Sequence, residues 1–265
     1  MKIDKVVLYV IILFVGYGAI LFLPRGYVPI PVAYETGELL WSSISLATLL
    51  DLVLASPFLI IMFYYVHKAI TVQTSPETPK PSQRKKDIIR FLFFGAAIVM
   101  VAGIVMHAIA NDIYRLLGIP KDTAPSGNLQ VAVYWFDEVL GHKLIHFGII
   151  AFIIGLMVVQ YWHRMDSQYT KFQTAGLYFW AVAIGGIYML ATIEGQAGFD
   201  VMVISIALIA IILYYMRFKG LKLKENVFTH FVLIFLISMV LTAILYGVIF
   251  GLESGYPFFP QPTFI

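Results

Sequence analysis

The chain contains no cysteine and, for its 265 residues, very little charge. Without cysteine there can be no disulfide, thiolate metal site, iron–sulfur cluster or cysteine nucleophile. Only 12% of the residues are charged, about half the roughly 25% that a soluble domain uses to face water. The missing charge is replaced by apolar residues. They make up 60% of the chain, with a mean hydropathy of +0.87, and fall in runs too long for soluble core helices. Soluble globular, disordered, collagen-like and disulfide-scaffold classes are thereby excluded. The basic residues lie in short segments between apolar runs, so nucleic acid is not an expected partner. An integral, multi-pass membrane protein is what remains.

A helix needs about 20 mostly apolar residues to cross the hydrocarbon core. Seven segments qualify, at about 6–24, 44–66, 89–110, 132–162, 173–194, 199–216 and 227–250. Barrel strands would instead be short and alternating. The expected fold is therefore all-α, a single domain made of a bundle of seven transmembrane helices. The first apolar run is too long for a signal peptide and lacks a small-residue cleavage site, so it reads as a retained helix.

Lys and Arg set the orientation. With the N-terminus inside, fourteen of the 18 fall on the inner side, and only Arg25, Arg115, Lys121 and Lys143 fall outside. The N-terminus is expected in the cytoplasm, with the tail Gly255–Ile265 outside and the cell membrane as the location. Residues 67–88, rich in proline, polar and basic residues, are expected to form a mobile inner loop against anionic headgroups. Tyr27, Tyr34, Trp41 and Trp135 suit an outer aromatic belt. His67, His163 and His230 sit at inner helix ends, where imidazole can reach the interface.

The remaining ionisable residues in or beside the spans collect at the outer side. Ionisable groups within a span are costly and mark function. Asp51 lies about two turns from the outer end of span two, and His107 about one turn from the outer end of span three. Span four opens with Trp135, Phe136, Asp137 and Glu138, then carries His142 and His146. Glu194 closes span five, Asp200 opens span six, and Glu253 follows span seven.

At 100° per residue, Glu138, His142 and His146 share a stripe about 80° wide, with Asp137 pointing elsewhere. Gly103, His107 and Asn111 share a face of span three, with Asp112 off it. Two histidines four apart on a helix can ligate one metal ion. His107, at matching depth, can supply a third nitrogen. The expected ligands are His107, His142, His146 and Glu138, with zinc as the metal and copper, iron or haem as alternatives. Glu138 or Asp51 is the expected proton acceptor, and Asn111, Asp112, Asp137, Glu194 and Asp200 complete the pocket.

The helix number and residue types resemble the seven-helix superfamily of alkaline ceramidases and adiponectin receptors. Those are zinc hydrolases with three histidines, an aspartate and a serine. The resemblance goes no further. Their His-x3-His pair belongs to the last helix, whereas His142 and His146 sit in the fourth. Their Ser-x3-His signature meets Gly103 at the position four before His107. Membership is not assigned.

The expected function is a membrane-embedded, metal-dependent hydrolase acting in the outer half of the bilayer on a lipid or other amphipathic substrate. A redox protein using the same histidines is the first alternative. An ion or proton transporter, or a non-catalytic subunit among other membrane subunits, is the second. A retinal pump is disfavoured because span seven has no lysine for a Schiff base.

Overall fold

The computed structural model describes residues 5–21, 27–33, 39–75, 78, 81–116, 127–164 and 170–251. Arg25, Tyr34, Lys121, Glu253 and the tail Gly255–Ile265 lie outside the described residues, as does part of the expected loop 67–88. Among the described residues seven helices carry the fold: α1 (Lys5–Leu21), α2 (46–72), α3 (Gln83–Leu116), α4 (128–162), α5 (Lys171–Glu194), α6 (Gly198–Phe218) and α7 (227–251). Six of them, α2 to α7, are long and apolar enough to cross a membrane, while α1 is apolar but shorter. This is the architecture of a helical multi-pass membrane protein. Exposed side chains agree, since Val53, Phe91, Phe94, Phe179 and Ile187 all face outward. In water each such face would forfeit roughly 25 cal/mol for every Å² left unburied, a penalty that surrounding hydrocarbon removes.

One element escapes hydropathy. A two-stranded antiparallel hairpin, β1 (Tyr27–Ala33) and β2 (Leu39–Ser45), joins α1 to α2, with Tyr27 opposite Ser45 and Ala33 opposite Leu39. Pro29 and Pro31 bar this stretch from a helix. Spaced two apart, they leave their missing N–H groups on one edge of β1, which a two-stranded ribbon tolerates. The hairpin is tied to α3, where the Asp112 carboxylate accepts a hydrogen bond from Ser45 N at 3.1 Å. Thr48 Oγ1 adds a bond to Ala108 O at 3.2 Å.

The helix α4 is the most enclosed, with 67% of its most apolar stretch buried against 22% for α6. Its principal partner is α3, and α5 and α6 pack on α7 while α1 packs on α2. The α3–α4 contact has a repeat of seven. Phe93, Met100 and His107 on α3 face Gly155, Gly148 and Gly141 on the antiparallel α4. A Cβ added at Gly148 would lie 2.7 Å from Met100 N, and one at Gly141 would lie 3.1 Å from His107 Cβ. Period seven keeps two helices in contact along a shallow left-handed twist. Glycine lets their backbones close on each other, as membrane helices require. Gly103 belongs to the same seam, since a Cβ there would meet Ile145 N at 2.6 Å. Gly95, by contrast, faces open space.

Three π turns interrupt the described helices, at Asp51–Ala55 in α2, Trp135–Gly141 in α4 and Gly247–Gly251 in α7. All three fall at the end of the bundle where α3 stops and α4 starts. Single π turns concentrate at functional sites. The opposite end is held by ordinary capping: Thr229 N at the start of α7 donates to the buried Gln160 Oε1 at 2.9 Å. Thr170 and Gln173 form a reciprocal cap on α5.

Candidate metal centre

The glycine seam decides where the site forms. By admitting α3 against Gly141, it brings His107 beside the first turns of α4, with the His107 and His142 ring centroids 4.4 Å apart. The π turn then decides which carboxylate joins them. In an α-helix Asp137 and His142, five residues apart, would diverge by about 140°. In a π turn the hydrogen bond closes from i to i+5, so residues five apart return to one side. Asp137 thus turns inward, only 2% exposed. Its Oδ1 accepts from His107 Nδ1 at 2.6 Å and from Asn111 Nδ2 at 3.2 Å.

His107, Asp137 and His142 form a group whose ligand atoms all lie within 4.8 Å of one another. Holding one ion together with Asp137 would require His107 to carry its proton on Nε2, since Nδ1 is the nitrogen that faces the carboxylate. Asn111 Nδ2 stands 3.2 Å from that Nε2. Two imidazoles and a carboxylate are the protein ligands of an open catalytic zinc site, and equally of non-haem iron.

The other expected residues are distributed around this group. His146 stands one turn further along α4, its ring 6.3 Å from that of His142. It is buried, and its Nδ1 lies 3.0 Å from the Tyr188 hydroxyl of α5. Glu138 and Asp51 are close enough to act electrostatically on His107. Asp51 opens the α2 π turn, where its carbonyl accepts from Ser56 Oγ at 2.9 Å. Asp112 is engaged by the hairpin, as described. Asp200 pairs with Lys143 at 2.7 Å, and Glu194 is the last residue of α5.

Several participants escaped the sequence reading. Tyr188 carries no signal that separates it from the other fifteen tyrosines among the 16 of the chain. The glycines at 141, 148 and 155 do leave a period of seven in the sequence, but that spacing does not name the helix that packs on them. The sequence reading places Asp137 in the pocket but off the ligand stripe, because it carries an α-helical phase through a π turn. At the opposite end His163 Nδ1 lies 2.8 Å from Val159 O, and His230 Nε2 lies 3.2 Å from the Tyr178 hydroxyl.

No family model, no curated protein and no solved structure matches the chain.

Proposed function

We propose that this protein is a membrane-embedded, metal-dependent hydrolase, with zinc held by His107, Asp137 and His142 and a lipid or other amphipathic molecule as substrate. The observation that carries the proposal is the mutual closeness of these three donors, drawn from two helices at one end of the bundle. A zinc ion with three protein ligands keeps one position open, and lowers the pKa of water bound there to about 7. The chain's own groups have complementary tasks. Asn111, which donates to Asp137 Oδ1 at 3.2 Å, holds that carboxylate in place. Glu138 is the nearest carboxylate along α4 outside the group and takes up the proton, with Asp51 as a second acceptor across the bundle.

The site belongs to the outer half of the cell membrane in this reading, which supports entry of a lipid sideways from the outer leaflet. Fourteen of the 18 Lys and Arg fall on the other side, the distribution of cytoplasmic segments. The helix α1 serves as a seventh span, with the N-terminus cytoplasmic.

Elemental analysis of detergent-purified protein, with a visible spectrum on the same sample, tests the proposal. The expected result is about one zinc per chain and no colour, as for a closed-shell ion on nitrogen and oxygen donors. A Soret band, or stoichiometric iron or copper, would move the function to redox chemistry on the same histidines. Metal-free protein that binds no added zinc would overturn the metal centre.

A further inference from the structure

The turn between α5 and α6 is built against the usual preference of a helix end. Gln196 N donates to Ile193 O at 3.1 Å and Ala197 N to Thr192 O at 2.8 Å, the paired bonds of a Schellman end. Such an end needs one residue in the left-handed region, and glycine is its normal occupant. Here that residue is Gln196, at φ 51°. The glycine sits one position earlier, at Gly195, with φ −79°, where any residue would be comfortable.

Space explains the displacement. A Cβ at Gly195 would run into the His142 ring. Gln196 has its own tie to α4, since its Nε2 donates to the Tyr134 hydroxyl. A third tie follows at once, between Asp200 and Lys143. The start of α4 is therefore gripped on both sides of its π turn: at Tyr134 before it, and at His142 and Lys143 after it.

From this arrangement we infer that the 194–198 turn is a positioning clamp, in which Gly195 sets the orientation of the His142 ring toward His107 and Asp137. The inference deepens the metal reading and rests on it. The left-handed Gln196 is retained because its side chain holds the turn against Tyr134. Glycine is spent at 195 because only a hydrogen leaves room for the imidazole.

The test uses the full-length protein in detergent. Zinc affinity is measured by calorimetry and the ligand field by cobalt(II) spectra, for wild type, Gly195→Ala, Gln196→Gly and Gly186→Ala. Gly195→Ala is expected to weaken zinc binding about tenfold or more, the loss typical of disturbing a group that orients a ligand, and to alter the cobalt bands. Gly186→Ala on the same helix, whose Cβ would meet Thr242 Oγ1 only at 3.4 Å, is expected to change neither. Gln196→Gly guards against a misfolded alanine variant. It relieves the left-handed strain while giving up the bond to Tyr134, two effects that offset each other. The apo protein should therefore melt near wild type while zinc binds more weakly, a split that a merely structural turn would not produce. Wild-type affinity and cobalt bands in Gly195→Ala would overturn the clamp. If wild type itself binds no metal, the metal reading fails separately, and the clamp is judged by the His142 ring signals in NMR. A shift in Gly195→Ala and none in Gly186→Ala supports it, and unchanged signals in both overturn it.

Discussion

Asp137 shows how far one side chain depends on its backbone. Its carboxylate is buried and shared between His107 and Asn111, an arrangement the intervening π turn makes possible. Asp137→Asn keeps the shape but removes the charge, so zinc content should fall from about one per chain to near zero, as should that of His142→Ala. His163→Ala, at the other end of the bundle, should retain the metal. Equal metal content in all three, by elemental analysis, would refute the assignment. Acidification gives a second check. Imidazole and carboxylate bind metal only when deprotonated, so bound zinc should be released as the pH falls through the imidazole range near 6.5 and below. Dialysis at a series of pH values measures it, and release on raising the pH instead would contradict the ligand set. His146 has a different dependence. Its Nδ1 faces the Tyr188 hydroxyl inside the bundle, so Tyr188→Phe leaves a buried ring nitrogen unpaired. The expected cost is about 1–3 kcal/mol, seen as a lower melting temperature.

At the scale of the elements, the α3–α4 seam makes the site possible. A Cβ at Gly148 has no room against Met100, so α3 and α4 must separate or shift. Gly148→Ala should destabilise the protein by about 1–3 kcal/mol, the range of an overpacked contact. Gly95→Ala, facing open space, should be neutral, or stabilising by roughly 0.5–1 kcal/mol through helix propensity. Thermal unfolding in detergent compares the two, and equal melting temperatures would argue against the seam. Because Gly141 continues the same line, opposite His107, this packing and the candidate site share one helix contact.

The whole molecule is polarised. The π turns and the His/Asp group lie at one end, while the exposed start of α3, with Arg84, Lys85 and Lys86, lies at the other. A chain without cysteine allows this to be tested cleanly, since any introduced thiol is the only one. Single cysteines at Lys86 and Lys219 should react with a membrane-impermeant maleimide only after the inner face of the membrane is opened. One at Gly127 should react from outside intact cells. The reverse pattern would invert the orientation and place the site toward the cytoplasm.

Hydropathy and the scarcity of charge sufficed to show helices of membrane-crossing length, because a lipid solvent selects for apolar length and little else. The sequence also marked the region of the site, since ionisable residues within spans are too costly to be scattered. It placed His107, His142 and Asp137 in that region, but could not single out Asp137 as the carboxylate beside the two rings. One π turn changes the helical phase, and hydrogen-bonding register leaves no mark in hydropathy. The hairpin at 27–45 was hidden for a similar reason, as two short strands are too brief for a hydropathy window. The seam, the turn against His142 and the Tyr188–His146 pair were decided by tertiary structure alone. Each depends on which helices are neighbours, and in a bundle of similar apolar helices that choice is made by shape complementarity across the contact.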